Sequence, residues 1–452
     1  MKILHYTLGL PPMRSGGLTK YALDLMQEQA KSHEVINLYP GTIDVLNKET
    51  RIKLKRHKED NITHFQIINS LPLPIFKGIR EPLDFMRSIS KDMYMKFLIQ
   101  INPDVIHIHT LMGIHQEFFL AAKELKIRLI YTTHDYFGIC PTINLYKDSK
   151  DVNCYNFNEG LGCVECCSNS LSTAALKLAQ TPIYPTIKKL KKIKSKVKRE
   201  KQLARKSGKF LTNNSCEKDE LSSRFVKLRE FYTYMFKQVD LFHFNSSVAK
   251  EVFQQYLPDI EGRIIDITHK NVKKIDQKKS RSDKIRVGYL GPFKKYKGLP
   301  VLVQAFKKLP KEKYELHMYG DNELMAIEDN MYMHGRYSMS ELEKIFKKID
   351  VLVVPSLWKE TFGFITLEAL SHSTPVIISN TVGSKDLLTE NKFGWIIETS
   401  SLGKLLISLT KEVLERKNAD LIADFETLTI EKHSEDVIYN LYRDITPKNK
   451  TT

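Results

Sequence analysis

The sequence predicts an α/β protein made of two doubly wound parallel sheets that face each other across a cleft. Apolar strand-like runs alternate with amphipathic helical stretches along most of the chain, a pattern typical of parallel sheets covered by helices. This alternation stops near residue 271 and starts again near residue 284. The length of 452 residues also suits two large domains, since domains usually hold about 100 to 200 residues.

The strand-like runs divide into two series. The first comprises MKILHYT, EVINLYP, ITHFQII, VIHIHT, RLIYTTHD, DLFHFNS and RIIDITH, and the second comprises IRVGYLG, ELHMYG, VLVVPS and PVIISN. Between the two series, residues 271–284 are polar and charged with no apolar period. We therefore expect a first domain over 1–272 with an insertion at about 140–236, a second domain over 284–425, and a C-terminal helix in 426–452 that packs back on the first domain. Because such sheets bind ligands at the carboxyl ends of their strands, the two domains should enclose a cleft.

Composition excludes several classes of protein. An apolar content of 42% suits packed cores, and no stretch approaches the roughly 20 apolar residues of a membrane span. The apolar run after Met1 is too short for a signal peptide and fits a first strand. Six cysteines are too few for a disulfide scaffold in a chain this long. We expect a cytoplasmic protein.

The most informative segment is PSLWKETFGFITLEAL, in which Glu360 and Glu368 bracket Gly363. The spacing alone says little, because Glu390 and Glu398 repeat it. The setting is what matters: an apolar strand precedes the segment, and residues 364–371 are predicted to form a helix. The start of that helix would place free N–H groups and a positive dipole end between the two carboxylates, as a diphosphate requires.

This segment resembles the signature of family 4 glycosyltransferases, two glutamates separated by seven residues, and the resemblance extends over most of the chain. It implies the GT-B fold, in which two Rossmann-like domains hold a nucleotide-sugar donor, and transfer with retention of anomeric configuration. In this sequence it implies a catalytic role for Glu360 beside the transferred sugar and a ribose contact for Glu368. The donor would also contact the helix start at Phe362, Gly363 and Phe364.

Two segments of the first domain belong to the cleft if the resemblance holds. RSGGLTKY places Gly16 and Gly17 after the first strand, where the backbone could approach a phosphate closely, although an ordinary turn into a helix would look the same. TTHDYFGICP places His134 at the end of a strand, where it resembles the histidine that the family holds beside the sugar. The alternative for His134 is a structural histidine.

The loop LGPFKKYKG, after the first strand of the second domain, resembles the family's phosphate-binding loop. Lys297 matches the lysine that contacts phosphate, but Pro292 stands where the family usually has arginine. One expected cation is therefore missing, and Lys294 or Lys295 is a candidate to replace it. Lys297 and the helix start would stabilise the leaving phosphate, and Glu360 the developing positive charge on the sugar. No Asp-any-Asp motif occurs, so we expect no cofactor to be required for catalysis.

Five of the six cysteines lie between residues 140 and 167. Cys163 and Cys166 have the gap of a zinc knuckle, and Cys140 and Cys154 would complete four thiolates for a structural zinc ion. Free thiols packed inside an irregular insertion are the alternative.

Much of the net charge of +17 comes from residues 188–209, which hold twelve basic residues and one acidic residue. Apolar side chains recur at helical spacing over residues 183–197, opposite a lysine face that includes Lys191, Lys192, Lys194, Lys196 and Lys198. That pattern is typical of a helix lying on an anionic membrane surface, but a helix docked on its own domain would share it. Nucleic acid is not indicated, because no aromatic residues are interleaved for base stacking.

Together these features predict a glycosyltransferase, peripheral at the inner face of the cell membrane, that moves a sugar from a nucleotide-sugar donor to a glycan acceptor. The acceptor is expected to be lipid-linked and the product a cell-surface polysaccharide. Two alternatives remain, a nucleotide-sugar epimerase of the same fold and a non-catalytic scaffold or polyanion-binding protein. The sequence identifies neither the sugar, the base, the acceptor nor the linkage.

Overall fold

A computed structural model describes residues 1–55, 61–74, 78–181, 215–321 and 327–443. The expected architecture is confirmed: two mostly parallel sheets, each flanked by helices, form two Rossmann-like domains. The basic segment 188–209, which includes the five lysines named above, lies outside the described residues. Within the described residues, no helix is both long enough and apolar enough to cross a bilayer.

The first domain contains an eight-stranded sheet and a short separate hairpin. Its strands are β1 (Lys2–Tyr6), β2 (Glu34–Pro40), β3 (Arg51–Lys55), β4 (Ile62–Ile68), β5 (Val105–Ile108), β6 (Arg128–Thr132), the hairpin β7 (Tyr146–Lys147) and β8 (Val152–Asn153), β9 (Leu241–Phe244) and β10 (Gly262–Ile264). The order is β10-β9-β6-β5-β1-β2-β4-β3, and every pair is parallel except β3 with β4. The helices are α1 (Gly17–Gln29), α2 (Asp92–Ile101), α3 (Gln116–Glu124), α4 (Leu161–Cys167), α5 (Thr173–Ala179), α6 (Ser215–Phe236) and α7 (Ser247–Tyr256).

The second domain contains a six-stranded, all-parallel sheet. Its strands are β11 (Ile285–Gly291), β12 (Tyr314–Gly320), β13 (Met331–Gly335), β14 (Val351–Val354), β15 (Val376–Ser379) and β16 (Gly394–Ile397), in the order β13-β12-β11-β14-β15-β16. Its helices are α8 (Leu299–Phe306), α9 (Leu342–Lys348), α10 (Phe364–Ser371), α11 (Leu402–Ser408) and α12 (Lys411–Asp424). Short 3₁₀ turns occur at Pro82–Phe85, Asn158–Gly160, Lys295–Lys297, Met339–Glu341, Gly383–Leu387, Thr389–Asn391 and Thr399–Ser401.

The last helix, α13 (Ile430–Val437), continues as a π-helical turn, Ile438–Tyr442. Although it follows the second domain in sequence, its apolar side chains pack on the first sheet, where Val437, Leu441 and Tyr442 join Ile3 and Ile130 in one buried cluster. The chain thus crosses between the domains a second time, and its last described helix lies on the first domain.

The prediction of a strand over RIIDITH was wrong for the second half of that segment. Strand β10 ends at Ile264, and the chain that follows has no regular secondary structure as far as β11. This connection carries His269 to the cavity between the domains. Helix α1 also joins the two halves, since its Tyr21 and Leu25 belong to a core cluster that includes Phe362 and Leu367 of the second domain.

Candidate active site

A cavity of about 780 Å³ lies between the two domains. The loops that follow β1, β11 and β14 reach it, as do α1, α10 and the interdomain connection. Of the residues singled out in the sequence, Gly16, Gly17, Lys297, Glu360, Gly363, Phe364 and Glu368 line it. The cavity therefore forms where the carboxyl ends of both parallel sheets meet, as expected for folds of this type.

Glu360 lies on the loop after β14, and its backbone is held on both sides. Its N–H donates to the carbonyl oxygen of Thr381 at 2.9 Å, and its own carbonyl oxygen accepts from the N–H of Gly383 at 2.9 Å. Its carboxylate is also held: Oε1 accepts from Lys297 Nζ at 2.6 Å and Oε2 from Ser356 Oγ at 3.1 Å. The two residues with opposite predicted roles, one for the sugar and one for the phosphate, thus form an ion pair.

Lys297 ends the 3₁₀ turn Lys295–Lys297, which lies directly against the end of β14. Gly298, at φ +75°, makes this possible, because a Cβ there would come within 1.8 Å of the carbonyl oxygen of Pro355. The Leu357 N–H also donates to the carbonyl oxygen of Tyr296 at 2.8 Å. Only glycine at position 298 allows this approach, which brings the lysine to Glu360.

The predicted helix over 364–371 is confirmed as α10. Gly363 precedes it at φ +100°, where an added Cβ would stand 3.0 Å from Val382 Cγ1. Phe364 lines the cavity beside the start of the helix, whereas Phe362 does not line it and is buried in the core cluster. The free N–H groups at the start of α10 and its positive dipole end therefore lie at the cavity, where they favour an anion.

Glu368, inside α10, is part of a chain of polar side chains that the sequence did not indicate. Its Oε1 lies 3.0 Å from His269 Nε2, and His269 Nδ1 lies 2.9 Å from Lys20 Nζ. An ammonium group only donates, so Nδ1 accepts, and Nε2 carries the proton that it donates to Glu368. Burial lowers the pKa of Lys20, and Glu368 partly opposes that shift. In the sequence, these hydrogen-bonded side chains appear only as a histidine and a lysine at the edges of two predicted elements.

Gly16 and Gly17 bring the start of α1 close to α10. Gly16 has φ +121°, and a Cβ on Gly17 would lie 3.3 Å from the ring of Phe364. A larger residue at 17 would press on that ring, so the two helix starts face each other across the cavity at close range.

His134 lies two residues beyond the end of β6, half-buried, but it does not line the cavity described above. Its carbonyl oxygen accepts from Thr361 Oγ1 at 2.9 Å, which places its backbone beside the residue that follows Glu360. Its Nε2 lies 3.2 Å from His109 Nδ1, and its ring centroid is 4.8 Å from that of Tyr21. Burial lowers the pKa of His134 to about 3, so the ring is neutral at physiological pH.

Pro292 lines the cavity at the position of the expected arginine, and neither Lys294 nor Lys295 lines it. The other lysines at the cavity, Lys20 and Lys270, come from α1 and the interdomain connection. The cations that accompany Lys297 at this cavity are therefore contributed from outside the second domain's own loop.

Among the cysteines of the insertion, Cys140, Cys163 and Cys167 are buried in the core of the first domain, and Cys154 packs against that core. The thiol pKa of Cys166 is raised to about 12, first by burial and then by Cys140, Cys163 and Cys154 nearby. Zn–S bonds of about 2.3 Å require closely grouped sulfurs. In the described part of the chain, the group of three metal-binding side chains whose ligand atoms all lie within 4.8 Å of one another consists of histidines, not cysteines. The thiols would have to draw together to bind zinc, and the zinc site stays a prediction.

Comparison with known proteins agrees with this geometry. Residues 15–158 match the family model "Glycosyltransferase Family 4", and residues 271–422 match the model "Glycosyl transferases group 1". An uncharacterised 42.6 kDa protein in the cps region of Klebsiella pneumoniae is 21% identical over 74% of this chain and 76% of its own length. The capsular polysaccharide biosynthesis glycosyltransferase CapM of Staphylococcus aureus is 26% identical over 28% of this chain and 36% of CapM.

Most of these sequence matches are local and span little more than a third of the relative's length. Among solved structures, HepE of Anabaena in complex with UDP is similar over 98% of this chain and 99% of that protein, at 12% identity and a TM-score of 0.53. The fold similarity thus extends over both domains. One model matches part of the first domain and the other matches most of the second, and this chain is a glycosyltransferase of the family 4-like group with the GT-B fold.

Proposed function

We propose that this protein transfers a sugar, with retention of configuration, from a nucleotide-sugar donor to a lipid-linked glycan acceptor during synthesis of a cell-surface polysaccharide. The observation that carries the proposal is the ion pair between Lys297 and Glu360 at the start of α10, with Glu368 one helical turn further on. This array offers a cation and free N–H groups to a diphosphate, and carboxylates to hydroxyl groups on either side of it.

The roles follow from where charge develops during the reaction. Cleavage of the bond between the sugar and the diphosphate builds negative charge on the leaving phosphate, which Lys297 and the start of α10 stabilise. Positive charge builds on the sugar, and the Glu360 carboxylate is placed to stabilise it. These two side chains form an ion pair at 2.6 Å, so a phosphate bound to Lys297 would compete with Glu360 for the lysine and let the carboxylate face the sugar.

Relatives support the choice of substrates. HepE was solved with UDP, and CapM is described as a capsular polysaccharide biosynthesis glycosyltransferase. The K. pneumoniae relative is encoded in a cps region. On these grounds we propose a nucleotide-sugar donor and a role in polysaccharide synthesis for this chain.

The test is to incubate the purified protein with a panel of nucleotide sugars and measure release of nucleoside diphosphate. One donor should be hydrolysed slowly without acceptor, and Glu360→Gln should slow the reaction by on the order of 10²-fold or more. Epimerised nucleotide sugar without diphosphate release would support the epimerase instead, and no turnover of any donor would support a scaffold. The anomeric configuration of the released sugar, read by NMR at early times, tests retention.

The membrane and zinc proposals are tested separately. Each basic residue near an anionic surface contributes about 1 kcal/mol, so binding to anionic vesicles should be strong at low salt and weak at high salt. A variant with Lys191, Lys192, Lys194, Lys196 and Lys198 changed to Gln should sediment poorly with the vesicles, and equal sedimentation would refute the proposal.

For zinc, elemental analysis of protein purified without chelator should find about one ion per chain.

A further inference from the structure

Several buried histidines lie in the centre of the first sheet, away from the proposed donor site. His5 on β1, His107 on β5, His109 just after β5 and His243 on β9 are fully buried. His5 and His107 are register partners on adjacent parallel strands. Buried polar groups need partners, and the pattern of these partners fixes where each proton is.

The pattern of hydrogen bonds begins at a backbone carbonyl oxygen, which can only accept hydrogen bonds. The carbonyl oxygen of Ile265 lies 2.8 Å from His243 Nε2, so that nitrogen carries the proton. Burial lowers the pKa of His243 to about 4, so the ring is neutral and its Nδ1 is an acceptor. The Thr132 hydroxyl, 2.9 Å away, must therefore donate to Nδ1.

The same reasoning carries the pattern across the sheet. With its proton directed to His243, Thr132 Oγ1 accepts from His107 Nε2 at 2.6 Å. His107 is neutral, because burial holds its pKa well below the usual value, and its Nδ1 accepts from the Tyr442 hydroxyl at 2.5 Å. The Tyr442 oxygen then accepts from Gln29 Nε2 at 3.4 Å, which turns Gln29 Oε1 towards His5.

The last three steps reach His134. His5 Nε2 donates to Gln29 Oε1 at 2.8 Å, and its Nδ1 accepts from His109 Nε2 at 3.0 Å. His109 Nδ1 in turn accepts from His134 Nε2 at 3.2 Å. Since His134 is neutral and its proton is on Nε2, its Nδ1 keeps a lone pair, and within the described residues Nδ1 has no hydrogen-bond partner.

Two other functions for this cluster can be set aside. A metal ion would need the nitrogens of His5, His107 and His109, which lie close together, but both nitrogens of each ring already take part in the hydrogen bonds described. Proton conduction would need an end that accepts a proton, and the pattern ends on a backbone carbonyl. The remaining function is to fix the direction of each hydrogen bond, and with it the tautomer of each histidine.

We propose that this histidine relay, from the Ile265 carbonyl through Tyr442 and Gln29 to His109, holds the Nδ1 of His134 as a hydrogen-bond acceptor. His134 is half-buried beside Thr361, at the edge of the cavity rather than in its lining, so a ligand that extends to it must present a hydroxyl or N–H donor. Tyr442 and Gln29 act here as positioning residues, and the C-terminal helix completes the relay by supplying Tyr442. If the proposed function holds, the donor group is a hydroxyl of the sugar or of the acceptor.

The tautomer can be measured without any substrate. Long-range ¹H–¹⁵N correlation spectra of ¹⁵N-histidine-labelled full-length protein, with the His134 signals assigned by their loss in His134→Asn, should show a protonated Nε2 and an unprotonated Nδ1. Tyr442→Phe removes the hydroxyl that joins the two halves of the relay, so the His134 signals should shift towards a mixture of tautomers. Tyr6→Phe, a matched loss of a buried hydroxyl bonded to the Met112 carbonyl, should leave them unchanged.

A protonated Nδ1 on His134 in the unaltered protein, or Tyr442→Phe spectra identical to those of Tyr6→Phe, would overturn the proposal. This outcome is independent of the proposed function, whose own failure would appear as no turnover of any nucleotide sugar. With an active donor, Tyr442→Phe should raise KM by about threefold to tenfold, as expected for loss of one neutral hydrogen bond, with little change in kcat. The monodeoxy analogue that lacks the recognised hydroxyl should be insensitive to the substitution.

Discussion

Glu360 and Glu368 lie eight residues apart, Glu360 on the loop after β14 and Glu368 in the helix α10 that follows it. The structure places them in different kinds of environment. The partners of Glu360 are Lys297 and Ser356, which both belong to the second domain. The partner of Glu368 is His269, on the connection between domains, which in turn contacts Lys20 on α1 of the first domain. One carboxylate is positioned locally, and the other depends on both domains being in contact.

The difference indicates that the two carboxylates have different functions, one in turnover and the other in ligand binding. A carboxylate whose own hydrogen-bond partners lie within its domain keeps those partners whatever the other domain does, which suits a group that must stabilise charge in the transition state. A carboxylate tied to the other domain changes its surroundings when the domains separate, which suits a group that reports ligand binding. Substitutions of Glu360, Lys297, Glu368 and His269 test this division.

The largest effect is expected for Glu360→Gln, which keeps the shape of the side chain and removes its charge. Turnover should fall by on the order of 10²-fold or more, because the developing positive charge on the sugar loses its stabilising carboxylate. Donor binding, measured by calorimetry, should change much less. Glu398→Gln serves as the control, since Glu398 belongs to the other glutamate pair of the same spacing and does not line the cavity. Near-normal turnover in Glu360→Gln would remove Glu360 from the mechanism.

A smaller effect is expected for Lys297→Ala. A charge-assisted hydrogen bond to phosphate contributes about 1.5 to 3 kcal/mol, so nucleoside diphosphate should bind roughly tenfold to a hundredfold more weakly. Lys295→Ala is the matched control, because Lys295 is on the same 3₁₀ turn but does not line the cavity. If Lys295→Ala weakens binding and Lys297→Ala does not, the phosphate partner has been misassigned.

The elements that carry the local half of the comparison could be predicted from the sequence. Alternating strand and helix patterns indicated both sheets, and a glycine between an apolar strand and a helix indicated the start of α10. These features depend on residues that are neighbours in the chain, for which periodicity and turn chemistry are informative. Both Glu360 and Lys297 were singled out, but the contact between them was not predicted, because their loops follow different strands.

The interdomain half could not be predicted. His269 was taken as the end of a strand that in fact stops at Ile264, and nothing in the chain marks it as a neighbour of Lys20, 249 residues away. The histidine relay was missed because its members lie in strands that look apolar, such as VIHIHT and DLFHFNS. Histidines recurring at central positions of several predicted parallel strands were the one available signal, and only the strand order shows that they are adjacent.

The smallest effect, and the sharpest test of the comparison, is expected for Glu368→Gln. The amide can still accept a hydrogen bond from His269, so what is lost is mainly the difference between a charged and a neutral acceptor, about 1 kcal/mol. Nucleoside diphosphate should bind about fivefold more weakly, with kcat changed less than twofold. His269→Asn should weaken binding to a similar extent, and the double variant should not add the two effects, because both changes break one interdomain contact. Additive effects, or a fall in kcat as large as that of Glu360→Gln, would mean that the two carboxylates are not divided between turnover and binding.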